Sequence, residues 1–108
     1  MATDYRVLGQ LLPSANTLST LYTVPAAKQA VISTISVCNQ SISNATFGIA
    51  VRQAGATQTA SQYIAMGATV PANDTIVLTL GITLTATDVV SVSSSGAVSF
   101  GCFGSQIT

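Results

Sequence analysis

The stretch LYTVPAAKQAVISTISVCN, residues 21–39, decides the fold. It reads as strand, corner, strand. Pro25 follows Tyr22, Thr23 and Val24 and has no amide hydrogen to give to a ladder, so the first strand stops there or turns an edge. Residues 31–37, VISTISV, then run as a second strand rich in β-branched side chains. Simple alternation puts Val31, Ile35 and Val37 on one face and Ile32, Thr34, Ser36 and Cys38 on the other.

Working outward, the same grammar repeats. Tyr5, Val7, Leu8, Leu11 and Leu12 make a first strand, bent at Gly9, and the turn cluster Pro13, Ser14, Ala15 and Asn16 closes it. Residues 17–24 lead into Pro25. After the polar loop 40–44, Phe47, Ile49 and Val51 alternate with Thr46, Gly48, Ala50 and Arg52, the pattern of a half-buried strand. Residues 54–60 are a small-residue loop or one short helical turn. A strand through Tyr63, Ile64 and Met66 ends at turn chemistry around Pro71, Asn73 and Asp74. Ile76, Leu78 and Leu80 form an inward set, and Leu84 dips into the core from the connection 81–88. Val90 and Val92 point inward from the next strand. The last strand, 97–103, turns Val98, Phe100 and Cys102 one way and Phe103 the other, leaving a tail from Gly104 onward.

About eight short strands at this spacing predict an all-β fold, an antiparallel β-sandwich of jelly-roll-like count, in one domain over residues 1–108. Residues 1–12 are either an N-terminal arm or an edge strand. Strand count alone leaves an immunoglobulin-like sandwich open.

Composition excludes several classes of function. Charged residues are 6% of the chain, against about 25% in an average domain. They are Arg6, Lys28, Arg52, Asp4, Asp74 and Asp88, and the net charge is zero. Three dispersed cations cannot form the basic stripe that nucleic acid requires. No apolar run reaches the ~20 residues of a membrane-spanning helix. The first residues carry neither the basic nor the apolar region of a secretion signal, which predicts synthesis in a cytoplasm. A neutral surface has little electrostatic protection against self-association, which suits a subunit that ends up covered by copies of itself or docked on a larger body.

No catalytic constellation emerges. Histidine is absent, so a Ser or Cys nucleophile would need Lys28 or an Asp as its base. Asp74 and Asp88 sit where Asx turns need an acceptor. Cys38 and Cys102 read as buried free thiols, with a disulfide as the alternative; without histidine or a CxxC pair they have no partners for a metal site. A calcium site from Asp74 and Asp88 with loop carbonyls is the minor alternative to turn capping, since no Asp-rich loop surrounds them. No cofactor is expected. The acceptor patterns at Asn39, Asn44 and Asn73 read as loop residues. Tyr5, Tyr22 and Tyr63 are either a sugar-stacking set or rim tyrosines of an interface. Tyr5, Arg6, Leu8, Leu11 and Leu12 are the candidate partner-contact residues: terminal, rich in leucine, and holding two of the rare charges with Asp4.

The ordered set TLYTVPA (20–26), ISVCN (35–39), FGIAV (47–51), QYI (62–64), ANDT (72–75) and the closing Val98, Ser99, Phe100 to Phe103, Gly104 resembles small virion structural proteins of tailed bacteriophages, including those of cyanobacterial phages. The resemblance runs from about Leu8 to the end and rests on the set, since no single motif is specific. It implies a compact β-sandwich without enzyme activity, made in a bacterial cytoplasm and carried in the virion. The expected place is capsid decoration: homotrimers bound to the assembled major capsid protein shell. A neck or tail ring subunit is the alternative, and a carbohydrate-binding attachment module comes third.

Overall fold

A computed structural model of the chain describes residues 3–57 and 59–107; the side chain of Leu80, expected to point inward, lies outside the described part. Among the described residues eight strands are present: β1 Thr3–Leu11, β2 Ser19–Thr23, β3 Gln29–Asn39, β4 Ala45–Arg52, β5 Tyr63–Val70, β6 Thr75–Leu84, β7 Val89–Ser94 and β8 Val98–Ile107. Two single 3-10 turns, Gln53–Gly55 and Ala60–Gln62, interrupt the link between β4 and β5.

The strands form two four-stranded antiparallel sheets, a first of order β1-β8-β3-β6 and a second of order β2-β7-β4-β5. The pairs β1–β8, β2–β7, β3–β6 and β4–β5 are those of one long hairpin, folded at the β4–β5 link and rolled into two layers. The contacts β3–β8 and β4–β7 complete the sheets. This winding is the jelly roll, and it removes the immunoglobulin-like alternative.

Every connection except β4–β5 crosses from one sheet to the other, and four of these crossings share one device. In residues 14–17, 25–28, 71–74 and 85–88, the fourth amide donates to the first carbonyl. The third residue, respectively Asn16, Ala27, Asn73 and Thr87, has positive φ. Asn tolerates that conformation well; Ala and Thr are held in it by the strands on either side.

Ile32, Ile35, Val37, Phe47, Ile49, Val90, Val92, Val98, Phe100 and Cys102 are buried between the sheets, with Leu84 among them. The rings of Phe47 and Phe100, one from each sheet, meet edge to face at 6.3 Å. Val51, Ile76 and Leu78 pack against this core from its margin.

Three readings from alternation are corrected. Ile32 and Ile35 share the inner face, because the register of β3 shifts between Ile32 and Thr34 against both neighbours. Opposite β8, Ser33 is the extra residue, and Val31 is thereby turned outward; opposite β6, the extra residue lies on β6. The segment after Phe103 is no tail: β8 continues to Ile107 and pairs with both β1 and β3. The expected connection 81–88 begins as strand, since β6 reaches Leu84.

Gly104 makes the extension of β8 possible. A Cβ there would lie 2.0 Å from the carbonyl oxygen of Val31 and 3.0 Å from the Cα of Ile32, where the bulged strand presses on its neighbour.

A candidate interaction surface on the first sheet

β1 is an edge strand, hydrogen-bonded to β8 alone. Its register shifts between Val7 and Gly9, so Leu8 is the extra residue of a second bulge. The bulge changes which face the odd positions serve. Before it, Tyr5 and Val7 pair with Ser105 and Phe103 on the outer face; after it, Gly9 and Leu11 pair with the inward Cys102 and Phe100.

The outer face near the N-terminus is therefore apolar. Tyr5 is 87% exposed and Val7 49%. Across β8 and β3, Ser105 leads to Val31 and Phe103 to Thr34. The Phe103 ring folds back along its strand, so that a Cβ at Gly101 would touch its Cζ at 3.1 Å. Tyr5, Val7, Val31, Ser33, Phe103 and Ser105 line a shallow cleft of about 430 Å³.

The five residues expected to contact a partner are not placed as one group. Tyr5 and Leu12 are exposed, while Leu8 and Leu11 are half-buried and pack against the core. Arg6 is exposed as well, but its Nη1 donates to Oε1 of the buried Gln106 at 3.0 Å. Val7, Val31 and Phe103 complete the patch. Only the Tyr5–Val7 alternation and the outward reading of Phe103 pointed to them; Val31 needed the bulge.

Behind Arg6, the hydroxyl of Tyr22 is buried and has no hydrogen-bond partner in bonding geometry among the described residues. Burial raises its pKa and Cys102 adds to the rise, against the lowering effects of Arg6 and of the nearby Gln106 amide. Tyr22 thus belongs to the interior, Tyr63 to the second sheet and Tyr5 to the outer face of the first, so the three make no common stacking platform.

The remaining candidates serve the framework. Burial would raise the pKa of Asp88. Hydrogen bonds from the Thr85 and Ala54 amides, at 2.9 and 2.8 Å, and from the Thr85 hydroxyl outweigh it and hold the carboxyl below its usual value. Asp74 accepts from the Thr75 amide. Asn39 is buried: its Nδ2 donates to the carbonyls of Ser43, Val70 and Pro71, and its Oδ1 accepts from the amide and hydroxyl of Ser41. It ties three chain segments together and is closed to glycosylation.

Both cysteines are free. Cys102 is buried beside Ile35, whereas Cys38, three residues farther along β3, faces the other way. Burial raises the Cys102 thiol from its ordinary 9.0 to about 11, offset only in part by a hydrogen bond with the Gly9 backbone. Among the described residues no three His, Cys, Asp or Glu side chains are grouped to hold a metal ion, and no helix is long and apolar enough to cross a membrane.

No protein-family model matches the chain, and no curated protein matches it in sequence. Among solved structures, its fold is similar to that of a chain in the structure of infectious bursal disease virus, Gx strain, with a TM-score of 0.55 at 15% identity. The match covers 97% of this chain and 32% of the viral one, so this chain spans about a third of that protein's length. At such identity the likeness is one of fold.

Proposed function

We propose that this chain is a non-catalytic structural protein of a virus particle, and within that class a decoration protein of a tailed-bacteriophage head. The observation that carries the reading is the jelly-roll winding of the whole chain, similar over 97% of its length to a chain of a virus. The sequence resemblance supplies the phage setting, with synthesis in the bacterial cytoplasm. The apolar patch supplies a seat: Tyr5, Val7, Val31 and Phe103, with Leu12 beyond them, dock on the assembled major capsid protein shell.

The role is that of a clamp. A protein that binds the assembled shell and not its free subunits stabilises the assembled state by mass action. Copies associate with one another on the shell, in threes on this reading, which a surface with so few charges permits. The test is a particle lacking the protein. Its heads are expected to assemble but to lose DNA at lower temperature or lower salt than complete heads, and complete particles to hold hundreds of copies. Robust heads without tails, or a few tens of copies, would overturn the decoration reading in favour of a neck or tail subunit.

A further inference from the structure

The two sheets end together on the flank opposite β1 and β2. β5 is the last strand of the second sheet and β6 the last of the first, and the chain passes between them through the single turn 71–74. Each pairs with one neighbour only, β5 with β4 and β6 with β3. Every second residue along each outer rim therefore points an amide and a carbonyl away from the sheet.

Natural edge strands are shielded by charges, prolines, bulges or short length. Here the lengths are eight and ten residues. Neither strand contains a charge or a proline. No charged residue lies between Arg52 and Asp74 or between Asp74 and Asp88; Asp74 itself sits at the connecting turn. Both strands carry bulges, the one such device that their own residues supply. Exposed large apolar side chains occur on both: Ile64 at 48% and Met66 at 68% on β5, Val77 at 58% on β6.

We infer that this flank docks a second copy of the chain, the β5 edge of one subunit lying against the β6 edge of the next. It deepens the self-association in the proposed function and rests on that reading. Charge selects the occupant. A partner presenting charges here would bury them unpaired, at a cost in affinity, whereas the same flank on another copy is equally neutral. Size sets its strength. Ten residues of strand are about 33 Å long, and the molecule's shortest dimension is 19 Å. The flank thus offers about 600 Å² per copy, shared between its two edges, so one β5-to-β6 contact buries about 600 Å² over both partners, the size of a weak contact, and each copy in a closed series makes two of them.

The experiment is sedimentation velocity on the full chain at micromolar concentration, beside the double variant Met66→Lys/Val77→Lys and the far-flank control Tyr5→Lys. The parent chain and Tyr5→Lys are expected to sediment as the same oligomer. The double variant should dissociate, with an apparent dissociation constant raised about a hundredfold or more by the opposed charges. Should the double variant lack a cooperative melt, Thr79→Lys, an exposed position on the same edge strand, replaces it with the same expectation. A parent chain that is monomeric throughout, or a folded edge variant that keeps the oligomer, overturns the inference. Binding to empty phage heads is scored separately. If the parent chain binds heads as a monomer, only the self-contact fails; if it forms the oligomer and ignores heads, the decoration reading fails and the self-contact stands.

Discussion

Replacing Gly104 by alanine tests the bulged geometry at the centre of the first sheet. The added methyl carbon would lie 2.0 Å from the Val31 carbonyl oxygen, and both close neighbours are backbone atoms that cannot swing aside. Carbon and oxygen need about 3.3 Å, so β3 and β8 would have to part locally by more than 1 Å. That is enough to break the adjoining hydrogen bonds, each worth about 1 kcal/mol net. Strained repacking adds about 1–3 kcal/mol. The smaller entropy of the unfolded alanine chain returns about 0.4–1 kcal/mol. Gly104→Ala is therefore expected to destabilise by about 2–4 kcal/mol. Gly81→Ala is the internal control: nothing lies within 4 Å of a Cβ there, and its φ is not positive. It should be neutral or stabilising by up to about 1 kcal/mol. Urea unfolding at equilibrium measures both. A Gly104→Ala protein within 0.5 kcal/mol of the parent (roughly the reach of ordinary surface substitutions) would refute the close approach of β3 and β8.

Asn39→Ala should lower stability by about 2–4 kcal/mol in the same assay, because it strands the buried Val70 carbonyl and the Ser41 amide; a loss below 1 kcal/mol would mean that water replaces the side chain. Phe47→Ala or Phe100→Ala should each cost about 3–5 kcal/mol, and the double variant less than the sum, since the rings touch; strict additivity would deny the contact. With no histidine, stability should be flat through neutral pH. Asp88, whose folded pKa is lowered, contributes stability that is present above its unfolded value of 3.8 and is lost as pH falls through the folded one. Cys102 and Tyr22, whose folded pKa values are raised, contribute stability lost as pH rises above 9.0 and 10.0 respectively. Melting temperature against pH measures both limbs, and a transition between pH 5 and 8 would contradict the assignment.

The strands with unbroken alternation were legible. Phe47 and Ile49, Val90 and Val92, Val98 and Phe100 all face inward as period two requires. What alternation could not show was each place where an extra residue resets the period. Ser33 moves Ile32 into the core and Val31 out of it; Leu8 turns Gly9 and Leu11 inward while Tyr5 and Val7 stay outside. Both bulges oppose the segment of β8 around Phe103, so they are a property of the sheet, and no local sequence encodes them. The jelly-roll winding was legible only as a strand count. It depends on crossings whose positive-φ residues include Ala27 and Thr87, which carry no turn signal. Tyr5 and Leu12 could be singled out as exposed because they are apolar near a terminus. Val31 joins the patch only once register is known.

The unlike flanks of the sandwich bear on how it assembles. At the β1 side the backbones of the two sheets come together, since a Cβ at Gly9 would lie 2.3 Å from the Leu21 carbonyl oxygen. Arg6 and Gln106 bond across β1 and β8 there, and the edge carries Asp4 and Arg6. At the other side both edges are neutral and free. If the β5 edge of each subunit meets the β6 edge of the next, every copy has one unfilled edge of each kind until the series closes on itself. A series that does not close grows into a fibre, the hazard that exposed edges carry. Ring closure is then what makes a neutral edge tolerable, because it uses every edge and leaves none to template further growth. A small closed ring, three copies in the proposed function, turns both edges of each flank toward a common axis. The Tyr5, Val7, Val31 and Phe103 patch, on the outer face of the first sheet and toward its opposite edge, stays available to a second kind of partner. In the proposed function, self-contact and shell contact thus use separate parts of the molecule, which is why edge lysines and a lysine at Tyr5 are expected to disable them one at a time.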